Sequence, residues 1–184
     1  MPCLFLSENI MDNMELMGLA VRPCGEDDIT AVLTLEDIVL THLERPDLLR
    51  RNTEAMWRAC LLPPHVCLGA WDGDALAALA VLYVPTEGDS EALAPLLQTI
   101  NAKDHRAAHF KICLVHPAWR GHHLQMLMEQ RLHEEAKRMG FDLLCATASP
   151  YNTASIKSLQ QLGYHEDHCV QKYGFERILF YYFN

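Results

Sequence analysis

The sequence predicts a single mixed α/β domain whose sheet carries helices on both faces. Three observations carry that expectation. Short strands and a hairpin crowd the first half, strand–helix alternation follows from about residue 107, and no repeat, low-complexity tract or linker divides the 184 residues. Half the residues are apolar and 21% are charged, so enough apolar surface is available to offset chain entropy, and wholesale disorder is excluded.

In order along the chain, residues 18–23 read as a short strand stopped by Pro23. The acids Glu26, Asp27 and Asp28 suit the first turn of a helix, where the macrodipole favours them. Behind them Ile29, Val32, Leu35, Val39 and Leu43 recur at helical spacing. Asn52 or Thr53 caps a second helix to about Cys60, which Pro63 and Pro64 close. Residues 66–71 and 75–84 form apolar runs around Asp72-Gly73-Asp74, a strong hairpin signal. The alanines of the second run leave a helix open there, but Val81–Val84 favours a strand. A short helix is expected over 91–100, a buried strand over 107–116, and a long helix from Gly121 to about Met139 ended by Gly140. A strand over 141–148, a helix over 152–162 and two strands over 164–171 and 177–183 complete the chain. Residues 1–17 read as a tail or accessory helix, and 18–184 as the domain.

A net charge of -9 argues against a nucleic-acid partner, which needs a concentrated basic surface. It suits a cationic substrate such as an amine, although solubility alone accounts for it. Seven cysteines, odd in number and scattered, read as thiols of a reducing compartment rather than a disulfide framework. With neither a signal peptide nor an apolar run long enough to span a bilayer, the expectation is a cytoplasmic protein without membrane partners.

The chemistry concentrates in Cys113–Leu132. A buried strand runs through Leu114 and Val115, Pro117 breaks its pairing, and Arg120-Gly121 opens a helix. Unpaired N–H groups at such a helix start suit an anion such as a pyrophosphate, and an arginine at the entrance adds charge-assisted bonds. Val115, Pro117, Trp119 and Arg120 stand in the register of motif A of the GNAT acyltransferases, which this segment resembles. That motif continues with two glycine positions, occupied here by His123 and Gln125. Further on, Ser149-Pro150-Tyr151-Asn152, Ser155 and Leu162-Gly163-Tyr164 resemble the family's motif B.

The resemblance implies a GNAT-like, mostly antiparallel sheet in which the parallel strands 107–116 and 141–148 splay apart to admit acetyl-CoA or another acyl-CoA. It implies cofactor contacts at Leu114, Val115, His116, Arg120, Gly121, His122, His123, Leu124, Gln125, Asn152 and Ser155, with no metal. Backbone groups of Leu114 and Val115 would pair with the pantetheine arm and polarise the thioester, and Asn152 would bond that arm. The implied activity is N-acetyltransfer to a primary amine, borne by a small molecule or a peptide, by direct attack in a ternary complex. Two positions where relatives handle protons hold Leu159 and Thr147 instead. Tyr173 and Tyr151 are therefore the candidate catalytic residues, Tyr173 favoured, with Ser149 and His116 as substitutes. The missing groups also motivate an alternative, a CoA-binding GNAT module with little or no turnover.

The remaining polar residues have plainer readings. His165 and His168, like His116, His122 and His123, lack the spacing of a metal site. His133 and the acids Glu36, Asp37 and Glu44 read as exposed helix-face groups, and Glu134, Glu135 and Arg138 as a solvated face with intrahelical pairs. Tyr181, Tyr182 and Phe183 suit a core or a homodimer seam.

Overall fold

The computed structural model describes residues 17–184, so all but the last residue of the tail reading lies outside the described residues. Seven strands form one sheet: β1 (Ala20–Pro23), β2 (Val66–Asp72), β3 (Ala75–Tyr83), β4 (Ala107–Val115), β5 (Leu143–Ala148), β6 (His165–Lys172) and β7 (Phe175–Phe183). Their spatial order is β1-β2-β3-β4-β5-β7-β6, and only β4 and β5 run parallel. The helices are α1 (Ile29–Thr41), α2 (Glu54–Cys60), α3 (Leu124–Arg138) and α4 (Thr153–Gln161).

Both faces are covered, as the alternation of strands and helices predicts. α3 and α4 bury Leu124, Met128, Leu132 and Leu159 against Ala80, Phe110, Leu144 and Phe180 of one face. On the other face Val32, Leu35 and Trp57, from α1 and α2, pack on Leu79, Val81, Ile112 and Leu114. Beyond β4 that second face changes cover: Leu93 and its loop neighbours lie over Leu143, Cys145 and Leu179. Two separate lids on one face leave a seam between β4 and β5.

A β-bulge opens the seam. Val81 pairs Ile112 but Leu82 pairs Phe110, so Lys111 is the extra residue, and inward-facing positions on β4 switch sides there. Pairing with β5 ends at the same point: Ala107–Phe110 pair Leu143–Ala146, and nothing on β5 pairs Lys111–Val115. The splay is therefore a consequence of one inserted residue.

Turn chemistry explains most element ends. Thr53 Oγ1 accepts the Met56 N–H and caps α2. The β6–β7 hairpin turns through Tyr173 and Gly174, with φ of 59° and 80°, the signature of a two-residue type I′ turn. Gly69 is required for a different reason: a Cβ there would lie 2.6 Å from Cys24 Sγ and 2.6 Å from Trp71 Nε1.

Four expectations need correction. No α-helix forms over 91–100; a single 3₁₀ turn, Ala94–Leu96, stands there, because Pro95 lacks the N–H that a continuing helix needs. The long helix starts at Leu124 rather than Gly121, since Gly121 and His123 take left-handed φ values of 83° and 58°. Glu36 is 1% exposed, not on an open face: its carboxylate accepts the Asn52 N–H at 2.9 Å and the Trp57 indole N–H at 2.8 Å, tying α1 to α2. His133 is likewise enclosed, stacked on Tyr182 with centroids 4.6 Å apart and bonded to the Tyr164 hydroxyl at 3.0 Å. Among the described residues no helix is long and apolar enough to cross a membrane.

Candidate active site

Two cavities meet at the splay. The larger, about 490 Å³, lies between the C-terminal end of α1 and the N-terminal ends of α3 and α4; Val115, Trp119, Arg120, Gly121, His123, Leu124 and Gln125 line it. The smaller, about 120 Å³, continues between the parted strands past Lys111, Thr147 and Ser149 to Tyr173 and Arg177. Leu48, Leu49, Cys113, Gln125 and Asn152 line both, so the two form one passage through the sheet.

The loop before α3 presents donors to the larger cavity. The first residue to close the helical ladder is Leu127, whose N–H reaches the His123 carbonyl at 3.1 Å. The Leu124, Gln125 and Met126 amides precede that bond and have no intrahelical acceptor, and the dipole adds partial positive charge beside them. Pro117–Trp119 forms a 3₁₀ turn, with the Ala118 N–H donated to His116 Nδ1 at 3.2 Å. The left-handed φ of His123 gives the physical reason a glycine suits this position, and histidine is among the side chains that tolerate it better. The His123 side chain is exposed and lines the cavity rather than closing it.

α4 supplies the opposite wall. Asn152 Oδ1 accepts the Ser155 N–H at 3.1 Å and so caps the helix, while its Nδ2 makes no bond to protein. Gln125 Nε2 donates to Ser155 Oγ at 3.2 Å and links α3 to α4 across the passage.

A family model described as the acetyltransferase (GNAT) family matches residues 35–164. The chain belongs to that family. No curated protein matches it significantly in sequence. Solved structures share its GNAT fold. The GNAT domain of S. lividans PAT is 19% identical, with TM-score 0.66 and 90% of each chain covered. A putative acetyltransferase from Salmonella typhimurium, solved with its cofactor acetyl-CoA, is 19% identical with TM-score 0.65, covering 90% of this chain and 93% of that one. The ribosomal-protein-S18-alanine N-acetyltransferase from Escherichia coli is 16% identical with TM-score 0.66, covering 89% and 92%.

Within this GNAT frame the site residues expected from sequence distribute unevenly. Val115, Arg120, Gly121, His123, Leu124, Gln125, Asn152 and Ser155 all line the passage. Leu114 is buried against α1, so only its backbone can serve. His116 lines neither cavity, and His122 packs edge-on to Trp119 with centroids 6.2 Å apart. Leu159 and Thr147 do line the smaller cavity, and neither is an acid or a base there.

The two tyrosines separate clearly. Tyr151 is 55% exposed, lies beneath the Arg45 guanidinium at 3.6 Å, and lines neither cavity. Tyr173 lines the smaller one, with the Arg50 guanidinium 4.1 Å from its ring centroid. Burial first, then the Glu91 carboxylate, pushes its hydroxyl up to about 12, so it holds its proton across the neutral range.

Several residues of the site escaped the sequence reading. Lys111 Nζ meets Glu91 Oε2 at 2.9 Å, and Arg50 Nη2 meets the same oxygen at 3.0 Å. Burial alone would raise the Glu91 carboxyl, but hydrogen bonds from these two cations overcome it and hold the carboxyl below its ordinary value. Arg177 is 4% exposed and also lines the smaller cavity. A signal existed for one of them. Lys111 is a lone charge within an apolar strand, a pattern that marks buried polar groups.

Proposed function

We propose that the protein is an acyl-CoA-dependent N-acyltransferase, moving an acetyl group from acetyl-CoA to a primary amine by direct attack within a ternary complex. The observation that carries the reading is the pair of adjoining cavities at the β4–β5 splay, with amide donors at one end and a polar cavity at the other. The uncommitted amides at the start of α3, with Arg120 and His123 beside them, suit a pyrophosphate. The unpaired edge of Lys111–Val115 suits an extended arm bearing amides, and Asn152 Nδ2 is free to bond it.

Acetyl-CoA, when bound, supplies an activated thioester. The chain's own residues orient and stabilise. N–H groups along the open edge of β4, chiefly that of Val115 because the Leu114 N–H faces β3, are fixed donors toward a developing oxyanion. Tyr173, protonated at neutral pH and inside the cavity, is the favoured donor to the leaving sulfur. Tyr151 is the weaker candidate because it stands outside the passage.

Leu159 and Thr147 favour a second reading, a CoA-binding module without turnover, because the places that handle protons in relatives carry no acid or base. Titration calorimetry with acetyl-CoA, followed by thiol release across a panel of primary amines, separates the readings. Micromolar binding with amine-dependent thiol release supports the enzyme. Binding without release supports the module, and no binding removes both.

A further inference from the structure

The smaller cavity is cationic. Arg50, Lys111 and Arg177 line it, and among the described residues no aspartate or glutamate does. Glu91 stands behind the lining and serves two of these cations at once, bonding both Arg50 and Lys111. Arg177 has no carboxylate partner within 4.0 Å among the described residues. Its Nη1 donates to the Asp47 and Glu176 carbonyls at 2.7 and 3.3 Å, while among the described residues Nε and Nη2 meet no acceptor. The Asp47 carboxylate, the nearest candidate by sequence, is taken by Arg45 Nε and Nη2 at 2.9 and 3.0 Å.

Arg177 is always charged, lines the smaller cavity, and leaves Nε and Nη2 available to a ligand there. The guanidinium fork matches a carboxylate bidentately. A protonated amine entering a cavity lined by three cations and no anions is disfavoured unless it brings its own negative charge. Resting on the acyltransferase reading, we infer that the acceptor is a small amino carboxylate, a free amino acid or close analogue, whose carboxylate docks on Arg177 with Arg50 beside it. A cavity of about 120 Å³, with Tyr173 in its wall, suits a small molecule rather than a protein chain.

The same charges have a chemical consequence. Positive neighbours disfavour the ammonium form of the docked amine, so more of it is present as the free nucleophile. One ammonium proton leaves to solvent before attack. The N–C bond then forms as the C–S bond breaks, the thiolate takes the Tyr173 hydroxyl proton, and the second proton shed by the new amide nitrogen restores the Tyr173 hydroxyl. A dedicated base is then unnecessary, which fits a cavity that contains none.

The test compares the twenty proteinogenic amino acids with their carboxamides and decarboxylated amines, by thiol release from acetyl-CoA and by calorimetry on the protein saturated with CoA. At least one amino acid should be acetylated and bound at least 30-fold better than its amide or decarboxylated amine. Arg177→Gln should raise KM for that amino acid by 10- to 100-fold while leaving acetyl-CoA affinity within 2-fold, a control that also reports folding. Arg177→Lys retains the charge without the fork and should recover part of the loss. Amides or simple amines acting as well as the parent amino acids would overturn the inference, as would failure of every amino acid to bind the CoA complex. Amino acids that bind without thiol release would uphold the carboxylate site while sinking the acyltransferase reading.

Discussion

Glu129→Gln should change the pH dependence of stability in a way that isolates one buried proton. Glu129 sits on α3 at 0% exposure, and among the described residues no donor meets its carboxyl oxygens in good hydrogen-bond geometry, the Tyr164 hydroxyl only lying nearby. Burial pushes its carboxyl well above the ordinary 4.5, and the neighbouring Tyr164 hydroxyl offsets only part of that. The folded protein therefore keeps a proton that the unfolded chain releases above 4.5. The sign follows: stability from this group is full below 4.5 and is lost as pH rises towards the raised folded value. The loss accrues at up to about 1.4 kcal/mol per pH unit between 4.5 and the raised folded value.

Two buried histidines act in the opposite direction over part of that range. Burial pulls His133 down to about 4 and His109 down to about 3, so both are neutral in the fold. Their stability is present above about 6.5 and lost as pH falls towards those values. Wild type should thus peak near pH 6.5. Chemical unfolding of wild type and Glu129→Gln from pH 5 to pH 8 separates the contributions, because the histidines cancel in the difference. The glutamine amide brings its own offset of about 1–3 kcal/mol, independent of pH. The slope carries the information: the variant should gain on wild type by about 1.4 kcal/mol per unit. A difference that stays constant with pH would refute a buried, protonated Glu129.

Three further predictions concern the site and its frame. Arg120→Ala should weaken acetyl-CoA binding by about 1–3 kcal/mol in calorimetry, since Arg120 lines the larger cavity beside the free amides. Tyr173→Phe should lower kcat by about 10²-fold with little change in KM if its hydroxyl is the proton donor. The wild-type rate should show no alkaline loss from that group until pH approaches 12. Gly69→Ala should destabilise by about 1–3 kcal/mol in denaturant unfolding, because its Cβ would fall within 3.0 Å of Cys24, Trp71 and Leu76 side chains.

The contrast between Asp72–Asp74 and residues 91–100 indicates which features a sequence carries openly. A Gly73 φ of 57° is dictated by two residues, and the hairpin was legible from them. In the 91–100 segment Pro95 already bars a continuous helix, but the path taken instead follows from packing Leu93 over Leu143 and Leu179 on distant strands. The same division runs through the site. Arg120, Gly121 and Asn152 stand in a recognisable local pattern, so these parts of the larger cavity's wall were legible. The left-handed turn at His123 and the burial of Glu36 and His133 depend on neighbours far along the chain. The net charge of -9 suggested attraction of a cation, yet the cavity itself is lined by cations. Whole-chain charge does not describe a site of seventeen residues when the acids lie elsewhere.

The most direct test of acyl transfer is thiol release from acetyl-CoA measured with and without an amine panel. The proposed function predicts free CoA released in proportion to enzyme, only when an accepted amine is present, with one acetylated amine formed per thiol. Acetyl-CoA binding at micromolar concentration with no amine-dependent release from any member would contradict it and leave a CoA-binding GNAT module.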